Sequence, residues 1–458
     1  MIPRLLPQMF FHRTSLQRKL DRVALLKLAK SALKLRSDCD HSDVKNTIKH
    51  ILRELLPSTS SQTEEILEQH DLSLSSLGLD SLERLNATFS KAGSAYLDAE
   101  ASAGWPGQQL SELWTFDLEK CIDATPVVVC RNSKCVGFVG SHSGGFVALD
   151  LDSGQLIWEA RLPDRIEGSA AVTSDGNVVI VGCYDGCLYF LSADSGFEEW
   201  HFQTRDIIKS SGLVSIEKPT VFIGSYDKTF YCLDYKKRLC LWKYEVGGSC
   251  LSTPCFGSNE SIVFVATLSS EVFALSAEDG QIIWKSSVSS PVFGSLVSAN
   301  DKIFVPCVDG QIRVFRAKAN SKEIREQRSL ILYFPGSSAS VFGTPCLFQS
   351  QGKPYLSIGS RDGRLRCFSL ATDQSDWVYA FDWPISSSVY AVVTDRDTLL
   401  LTATTNGILS VVSFGTKTVQ CSYKVEGELF SSPVTCPHGR ILIGCRNNLL
   451  YCLGSKVS

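Results

Sequence analysis

From about residue 113 onward, short apolar runs alternate with small polar turns, and the whole alternation repeats. The repeated unit reads as an apolar strand ending in Gly, a tight turn, a second apolar strand, another turn and, in the clearest copies, a strand that carries Trp. In residues 177–204 the first run is Asn177-Val178-Val179-Ile180-Val181-Gly182. It is apolar throughout rather than alternating, as expected of a strand covered on both faces. Tyr184-Asp185-Gly186 is a hairpin turn, because Asp-Gly tolerates the positive φ such turns need. Leu188 to Leu191 form the next strand, Asp194-Ser195-Gly196 the second turn, and Glu198-Glu199-Trp200-His201-Phe202 the outermost strand. Aligned turn positions are Ser143, Asp185, Asp227, Ser269, Asp309, Asp362, Asn406 and Asn447. Intervals near forty residues, with several short strands in each, are the mark of propeller blades. One four-stranded blade cannot bury both its faces, whereas eight around an axis cover one another. The inner strand of most units opens with small residues, such as Ala124-Thr125-Pro126 and Ser431-Ser432-Pro433, which suit a crowded axis.

The eighth unit, from Glu428, ends at Tyr451-Cys452-Leu453 without a Trp strand. Leu113-Trp114-Thr115-Phe116-Asp117 has that strand's pattern and lies just before the first unit. The pattern therefore predicts that residues 113–118 complete the last blade and remove the open sheet edges. The predicted fold is mainly β: an eight-bladed β-propeller over residues 112–458, preceded by a short helical N-terminal segment.

The units share a "G-S-x-D-G-x-L-x-x-L-D-x-x-x-G-x-x-x-W" pattern and resemble the PQQ-like repeat family, named after the quinoprotein alcohol dehydrogenases. The resemblance implies the fold, and fold alone does not set function. Dehydrogenase chemistry in that family needs a quinone-bound calcium, an Asp base and, in many members, a disulfide between adjacent Cys residues. No adjacent Cys pair occurs here. Asp185, Asp309 and Asp362 are expected as turn formers rather than calcium ligands, and PQQ is not expected as a cofactor.

Composition narrows the picture further. The chain has 458 residues, 44% of them hydrophobic, enough for a full core. No apolar run approaches twenty residues, so no transmembrane helix is predicted and no membrane contact is expected. The 17 Cys residues are scattered, without a CxxC. The nearest spacings are Cys130/Cys135, Cys183/Cys187 and Cys250/Cys255; these thiols are expected to be free, buried and inert in a reducing compartment. The His residues show no metal-ligand spacing, and no metal site is predicted. The net charge is −3, with a basic stretch in residues 1–56 and an acidic remainder. A basic arm of this kind suits nucleic acid or a solvated helix face. The first twenty residues lack acids and carry Arg4, Arg13, Arg18 and Lys19, a presequence-like composition. The expected location is the cytoplasm, with the mitochondrion as alternative, and the expected state is a monomer. Between Phe315 and Leu330 a long insertion carries Arg325 and Arg328, a solvated loop or a contact for an acidic partner.

Two motifs precede the repeats. Arg13-Thr14-Ser15-Leu16-Gln17-Arg18-Lys19-Leu20-Asp21-Arg22-Val23-Ala24-Leu25 resembles the last motif of adenylate-forming domains, "T-x-x-G-K-x-D-R-x-A-L". The resemblance gives Lys19 the catalytic role of stabilising charge as a carboxylate attacks the α-phosphate of ATP; Arg18 replaces the usual glycine. Leu77-Gly78-Leu79-Asp80-Ser81-Leu82 resembles the phosphopantetheine attachment motif of carrier proteins, "L-G-x-D-S-L". It implies Ser81 as the attachment hydroxyl and Asp80 as its acidic neighbour, at a helix N-terminus that favours a phosphate. Without the resemblance, Asp80-Ser81 reads as an ordinary N-cap. Val44, Ile48, Ile51, Leu52, Leu55 and Leu56 have helical spacing and fit a carrier's first helix.

The expected organisation is a remnant of an adenylation-domain C-terminus at 1–36, a partial carrier-like helical segment at 40–93, a linker at 94–111, and the propeller. This order resembles the C-terminal part of the beta-alanine-activating branch of the acyl-CoA-synthetase-like family, relatives of the non-ribosomal peptide synthetases. That family is an ATP-dependent acid–thiol ligase; here only the final stretch of its adenylation domain is recognisable, and a shortened isoform, fragment or gene model is expected. The resemblance implies an acyl group held as a thioester on phosphopantetheine at Ser81, a phosphopantetheinyl transferase as partner, and a propeller face that docks a protein or acyl acceptor. The alternative is a non-enzymatic interaction scaffold, with a PQQ-dependent dehydrogenase as a minor one.

Overall fold

In the computed structural model, the residues described are 109–454 apart from 132–133, 258–259, 300, 317–339, 373, 395–396 and 437–438. The expected N-terminal helices, Lys19, Asp80, Ser81, Arg325 and Arg328 lie outside them. The described residues form eight antiparallel sheets, seven of four strands and one of three. Blade 1 comprises β2 (Val127–Arg131), β3 (Lys134–Gly140), β4 (Gly145–Asp150) and β5 (Leu156–Arg161). In blade 2 these become β6 (Ala171–Val172), β7 (Val178–Gly182), β8 (Cys187–Ser192) and β9 (Glu198–Gln203), and in blade 3 β10 (Leu213–Val214), β11 (Thr220–Gly224), β12 (Thr229–Asp234) and β13 (Leu239–Glu245). Blade 8 is built from both ends of this region. Its outer strand β1 (Ser111–Asp117) pairs antiparallel with β31 (Leu449–Gly454), matching Trp114 to Cys452 and Phe116 to Leu450.

The repeat grammar has a physical cause at each conserved place. The turn residue accepts a hydrogen bond from the backbone two residues on: Cys187 N–H to Asp185 Oδ1 at 2.9 Å, Gln311 N–H to Asp309 Oδ1 at 3.1 Å, Arg364 N–H to Asp362 Oδ1 at 3.2 Å. This side-chain turn explains the Asp and Asn residues there. The next position is left-handed in every blade. Five blades use Gly, as at Gly186 (φ 85°), while Lys228 (66°), Ser270 (64°) and Asn448 (76°) bear side chains.

The Trp and the Gly of the second turn belong together across blades. Trp158 donates to the Ala193 carbonyl of blade 2 at 2.9 Å, Trp242 to Ala277 of blade 4 at 3.2 Å, and Trp114 to Leu151 of blade 1 at 3.3 Å. A β-carbon on Gly196 would stand 2.4 Å from Trp158 Cε3, so only Gly lets the indole lie flat on the neighbouring turn. These three outer-strand Trp residues thus fasten one blade to the next.

Hydroxyls rather than mere smallness govern the axis. The backbone N–H of Thr125 donates to Ser169 Oγ, Thr253 to Ser295, Ser295 to Thr344, Thr344 to Ser388, Ser388 to Ser432, and Ser432 back to Thr125, at 2.9–3.3 Å. Six blade-to-blade steps among the described residues share this one bond. It satisfies part-buried amides just ahead of the inner strands, which would otherwise lack a partner. The apolar core lies between blades, as where Ile180, Leu188 and Phe190 of blade 2 pack on Val221, Ile223 and Tyr231 of blade 3.

The cysteines need one correction. Cys130 and Cys135 are not free: they face each other across β2 and β3 and form a disulfide. Their separation of five places them directly opposite on the two arms of one hairpin, where antiparallel side chains come close. The remaining 14 described cysteines are free thiols, 12 of them buried. Burial pushes the thiols of Cys183, Cys250 and Cys307 up to about 12, which keeps them protonated and poor nucleophiles.

Candidate functional site

Two residue positions per blade converge on one end of the propeller axis. One lies on the loop that enters the inner strand, the other on the turn between the two middle strands. In every blade the turn residue's backbone N–H donates to the carbonyl two residues before the loop position, from His142 to Cys121 at 3.0 Å round to Arg446 to Glu428 at 3.0 Å. The resulting pairs are Asp123–His142, Glu167–Tyr184, Lys209–Tyr226, Leu251–Leu268, Phe293–Val308, Phe342–Arg361, Ser386–Thr405 and Phe430–Arg446.

The ring is two-sided. On blades 8, 1, 2 and 3 it is charged. Arg446 grips Asp123 through Nε and Nη2, both at 2.9 Å, and its guanidinium lies 3.8 Å from the centroid of Phe430. His142 Nε2 stands 3.4 Å from Asp123 and 3.6 Å from Glu167. Lys209 Nζ is 2.5 Å from the other oxygen of Glu167, and the Arg165 guanidinium covers the Tyr184 ring at 4.7 Å. Burial works against the charge on Asp123, but His142 and Arg446 outweigh it and hold the carboxyl down at about 2. Burial, reinforced by Glu167, pushes the Tyr184 hydroxyl up to about 12. Burial likewise opposes the charge on Lys209, yet Glu167 wins and raises it.

On blades 4 and 5 the same positions are apolar, and blade 6 sets Phe342 beside Arg361, whose guanidinium lies 5.6 Å from the ring centroid. Leu251, Leu268, Phe293, Val308 and Phe342 are half-buried there. Phe293 and Phe342 of adjacent blades meet edge to face at 5.2 Å. Opposite charges are paired on one arc of this axial mouth, and aliphatic and aromatic side chains lie on the other. The Cys121 thiol, two residues before Asp123, donates to the Arg446 carbonyl. Among the described residues no group of three or more His, Cys, Asp or Glu side chains is arranged to hold a metal ion.

Sequence reasoning did not find this ring. The repeat alignment held the signal, since Asp123, Glu167 and Lys209 occupy one register and Leu251, Phe293, Phe342 and Phe430 continue it. Reading it required setting the loops, rather than the strands, under one another.

Comparison with known proteins agrees with the architecture. Residues 118–454 match the family described as the beta-alanine-activating enzyme, beta-propeller. The beta-alanine-activating enzyme of Danio rerio is 42% identical over 80 residues, covering 18% of this chain and 7% of the relative. The Homo sapiens enzyme is 38% identical over 87 residues, covering 18% and 8%. These alignments thus span under a tenth of the curated relatives' length. Among solved structures, BamB from Moraxella catarrhalis superposes with a TM-score of 0.58 at 16% identity, covering 76% of this chain and 98% of its own. Sqt1 from Saccharomyces cerevisiae gives 0.61 at 12%, covering 75% and 98%. A europium-containing methanol dehydrogenase gives 0.60 at 13%, covering 79% and 96%. At such identities these three share the fold alone. On the family match, which runs through all eight blades, the chain belongs to the beta-alanine-activating enzyme family.

Proposed function

We propose that this chain acts as the carrier and docking end of an ATP-dependent system that activates beta-alanine. The observation that carries the reading is the order of two features in one chain: Leu77-Gly78-Leu79-Asp80-Ser81-Leu82 ahead of that family's propeller over residues 118–454. Ser81 would hold phosphopantetheine, whose thiol carries the acyl group as a thioester. Asp80 places an acidic residue beside the modified hydroxyl. Lys19 belongs to the same reading, as a cation set where charge develops on the α-phosphate. The two-sided mouth would dock the acyl acceptor or a protein partner, with the charged arc orienting it and the apolar arc supplying contact area.

A second reading, a non-enzymatic scaffold, rests on the mouth alone, where the charges are already paired and no nucleophile faces a base. Intact mass distinguishes the two. The full chain is incubated with coenzyme A and a broad-specificity phosphopantetheinyl transferase, beside Ser81→Ala. A pantetheine-sized gain that Ser81→Ala abolishes supports the carrier. No gain leaves the scaffold.

A further inference from the structure

The outer wall of the propeller breaks its own repeat at one seam. In blades 2, 3 and 4 an aromatic side chain on the third strand stands opposite a basic side chain on the outermost strand: Tyr189 and His201, Tyr231 and Lys243, Phe273 and Lys285. Two of these bases have carboxylates. His201 Nδ1 is 2.7 Å from Glu198, with its ring 5.8 Å from that of Tyr189. Lys285 Nζ is 2.5 Å from Glu271 and 5.1 Å from the Phe273 centroid. At Lys243 the repeat puts Thr229 where Glu271 stands. Among the described residues no carboxylate forms an ion pair with the side chain of Lys243 or of Arg205, which lies just beyond β9. The same seam also departs at the Trp-docking turn, with Arg238 (φ 58°) in the place of Gly196 and Gly280.

These departures border a groove of about 600 Å³ between the outer strands of blades 2 and 3. Phe202, Tyr231, Leu241 and Trp242 give it an apolar lining, Arg205 and Lys243 supply its charge, and no acidic residue lines it. Leu241 is 44% exposed. The strands β9 and β13 are each the last of their sheet, so no strand covers their outer edges among the described residues. An uncovered edge offers backbone donors and acceptors to an extended chain.

We propose that this groove binds an extended peptide presenting an apolar side chain flanked by carboxylates. The volume suits a few residues of such a segment. Phe202 and Tyr231, edge to face at 5.4 Å, offer a surface for the apolar side chain. Lys243 lacks the carboxylate that His201 and Lys285 have at the neighbouring blades, so an incoming acid completes the repeat's own pairing. The inference is independent of Ser81 and of the axial mouth.

Fluorescence anisotropy on the full chain tests it. The probe is a labelled eight-residue peptide of alternating Leu and Glu, set against versions with Lys for Glu and with Ser for Leu. The Leu–Glu peptide should bind saturably, at least tenfold tighter than either control. The double substitution R205E/K243E should weaken it at least tenfold and reverse the charge preference. Leu241→Ser should weaken it severalfold. Circular dichroism melts confirm that both variants are folded. A benzophenone placed in the peptide should cross-link to residues 202–205 or 239–243. Equal binding of the acidic and basic peptides, no saturable binding of the acidic one, unchanged affinity in a folded R205E/K243E protein, or cross-links confined to another surface would each overturn the proposal.

Discussion

Blade 8 and the seam between blades 2 and 3 are built on opposite plans. Blade 8 joins segments that are far apart in the chain: Ser111 Oγ donates to the Gly454 carbonyl across 343 residues. Directed polar contacts surround that junction. Arg446 grips Asp123, Arg440 donates to the Leu151 carbonyl and Asp152, both at 2.7 Å, and Ser431 Oγ donates to the Ala124 carbonyl at 2.9 Å. Blades 2 and 3 follow each other directly and meet mainly through aromatic and aliphatic contact, with fewer polar bonds, such as Arg205 N–H to Asp227 at 3.1 Å, and two exposed cations. The difference follows from chain entropy. Closing a loop of this size costs about 5 kcal/mol, so the distant junction needs specific contacts, whereas a short link holds its neighbours together already.

Removing residues 108–118 should break the comparison most severely. It takes away β1, the buried faces of Trp114 and Phe116, and the cover on β31. The thermal midpoint should fall by about 10 °C or more. A calorimetric midpoint within about 2 °C of the intact chain would mean that blade 8 does not hold the ring closed.

Gly196→Val tests the interior seams. It puts a branched side chain at a left-handed position and into Trp158, and should cost about 3 kcal/mol in denaturant unfolding. A neutral result would strip the Trp–Gly contact of its role.

Asp123→Asn probes the charged part of the closing junction. Asp123 is held below its ordinary carboxyl value of 3.8, down to about 2 in the folded protein. Its stabilising effect is therefore complete above the unfolded value, about 4, and is lost as pH falls through the folded one. The variant should be about 2 kcal/mol less stable than the native chain at pH 6. The gap should narrow between pH 4 and 2 and be absent below that. A gap independent of pH would assign the loss to packing.

The smallest effects concern left-handed residues that are not Gly. Lys228→Gly and Arg238→Gly should each stabilise by up to about 1 kcal/mol, read as a raised denaturation midpoint. Arg238→Gly sharpens the comparison further, since it restores the docking position at the open seam without touching Lys243.

Much of this architecture is legible in local sequence, because blades are local objects. The strand runs, the Asp and Asn turns and the Trp strands all lie within one unit, and their chemistry explains their identity. The Trp strand at residues 113–117 is recognisable because it obeys the same grammar as Trp158 and Trp200. Relations between units are harder to read. Ser432 N–H meets Thr125 Oγ1, and the acceptor's neighbour is fixed only once the ring has formed. Smallness predicts the residue size at the axis but not its hydroxyl. The Cys130–Cys135 bond escaped because spacing alone does not say that a hairpin turns between them. The charged and apolar arcs of the mouth came from loops, where no periodicity marks a face. Lys19, Asp80 and Ser81 carry their meaning through motif resemblance and lie outside the described residues, so the structure adds nothing to them.

The pairing of β1 with β31 also sets a timetable for synthesis. The first strand of the ring leaves the ribosome long before its partner exists. At ordinary translation rates the interval is on the order of tens of seconds. Through that time blades 1 to 7 can assemble in order while β1 waits with an uncovered edge and an unburied indole. The ring closes only after residues 449–454 emerge, so a stalled or prematurely terminated chain displays that edge to any chaperone or protease nearby. Exposure of this single strand can therefore report whether blade 8 has closed.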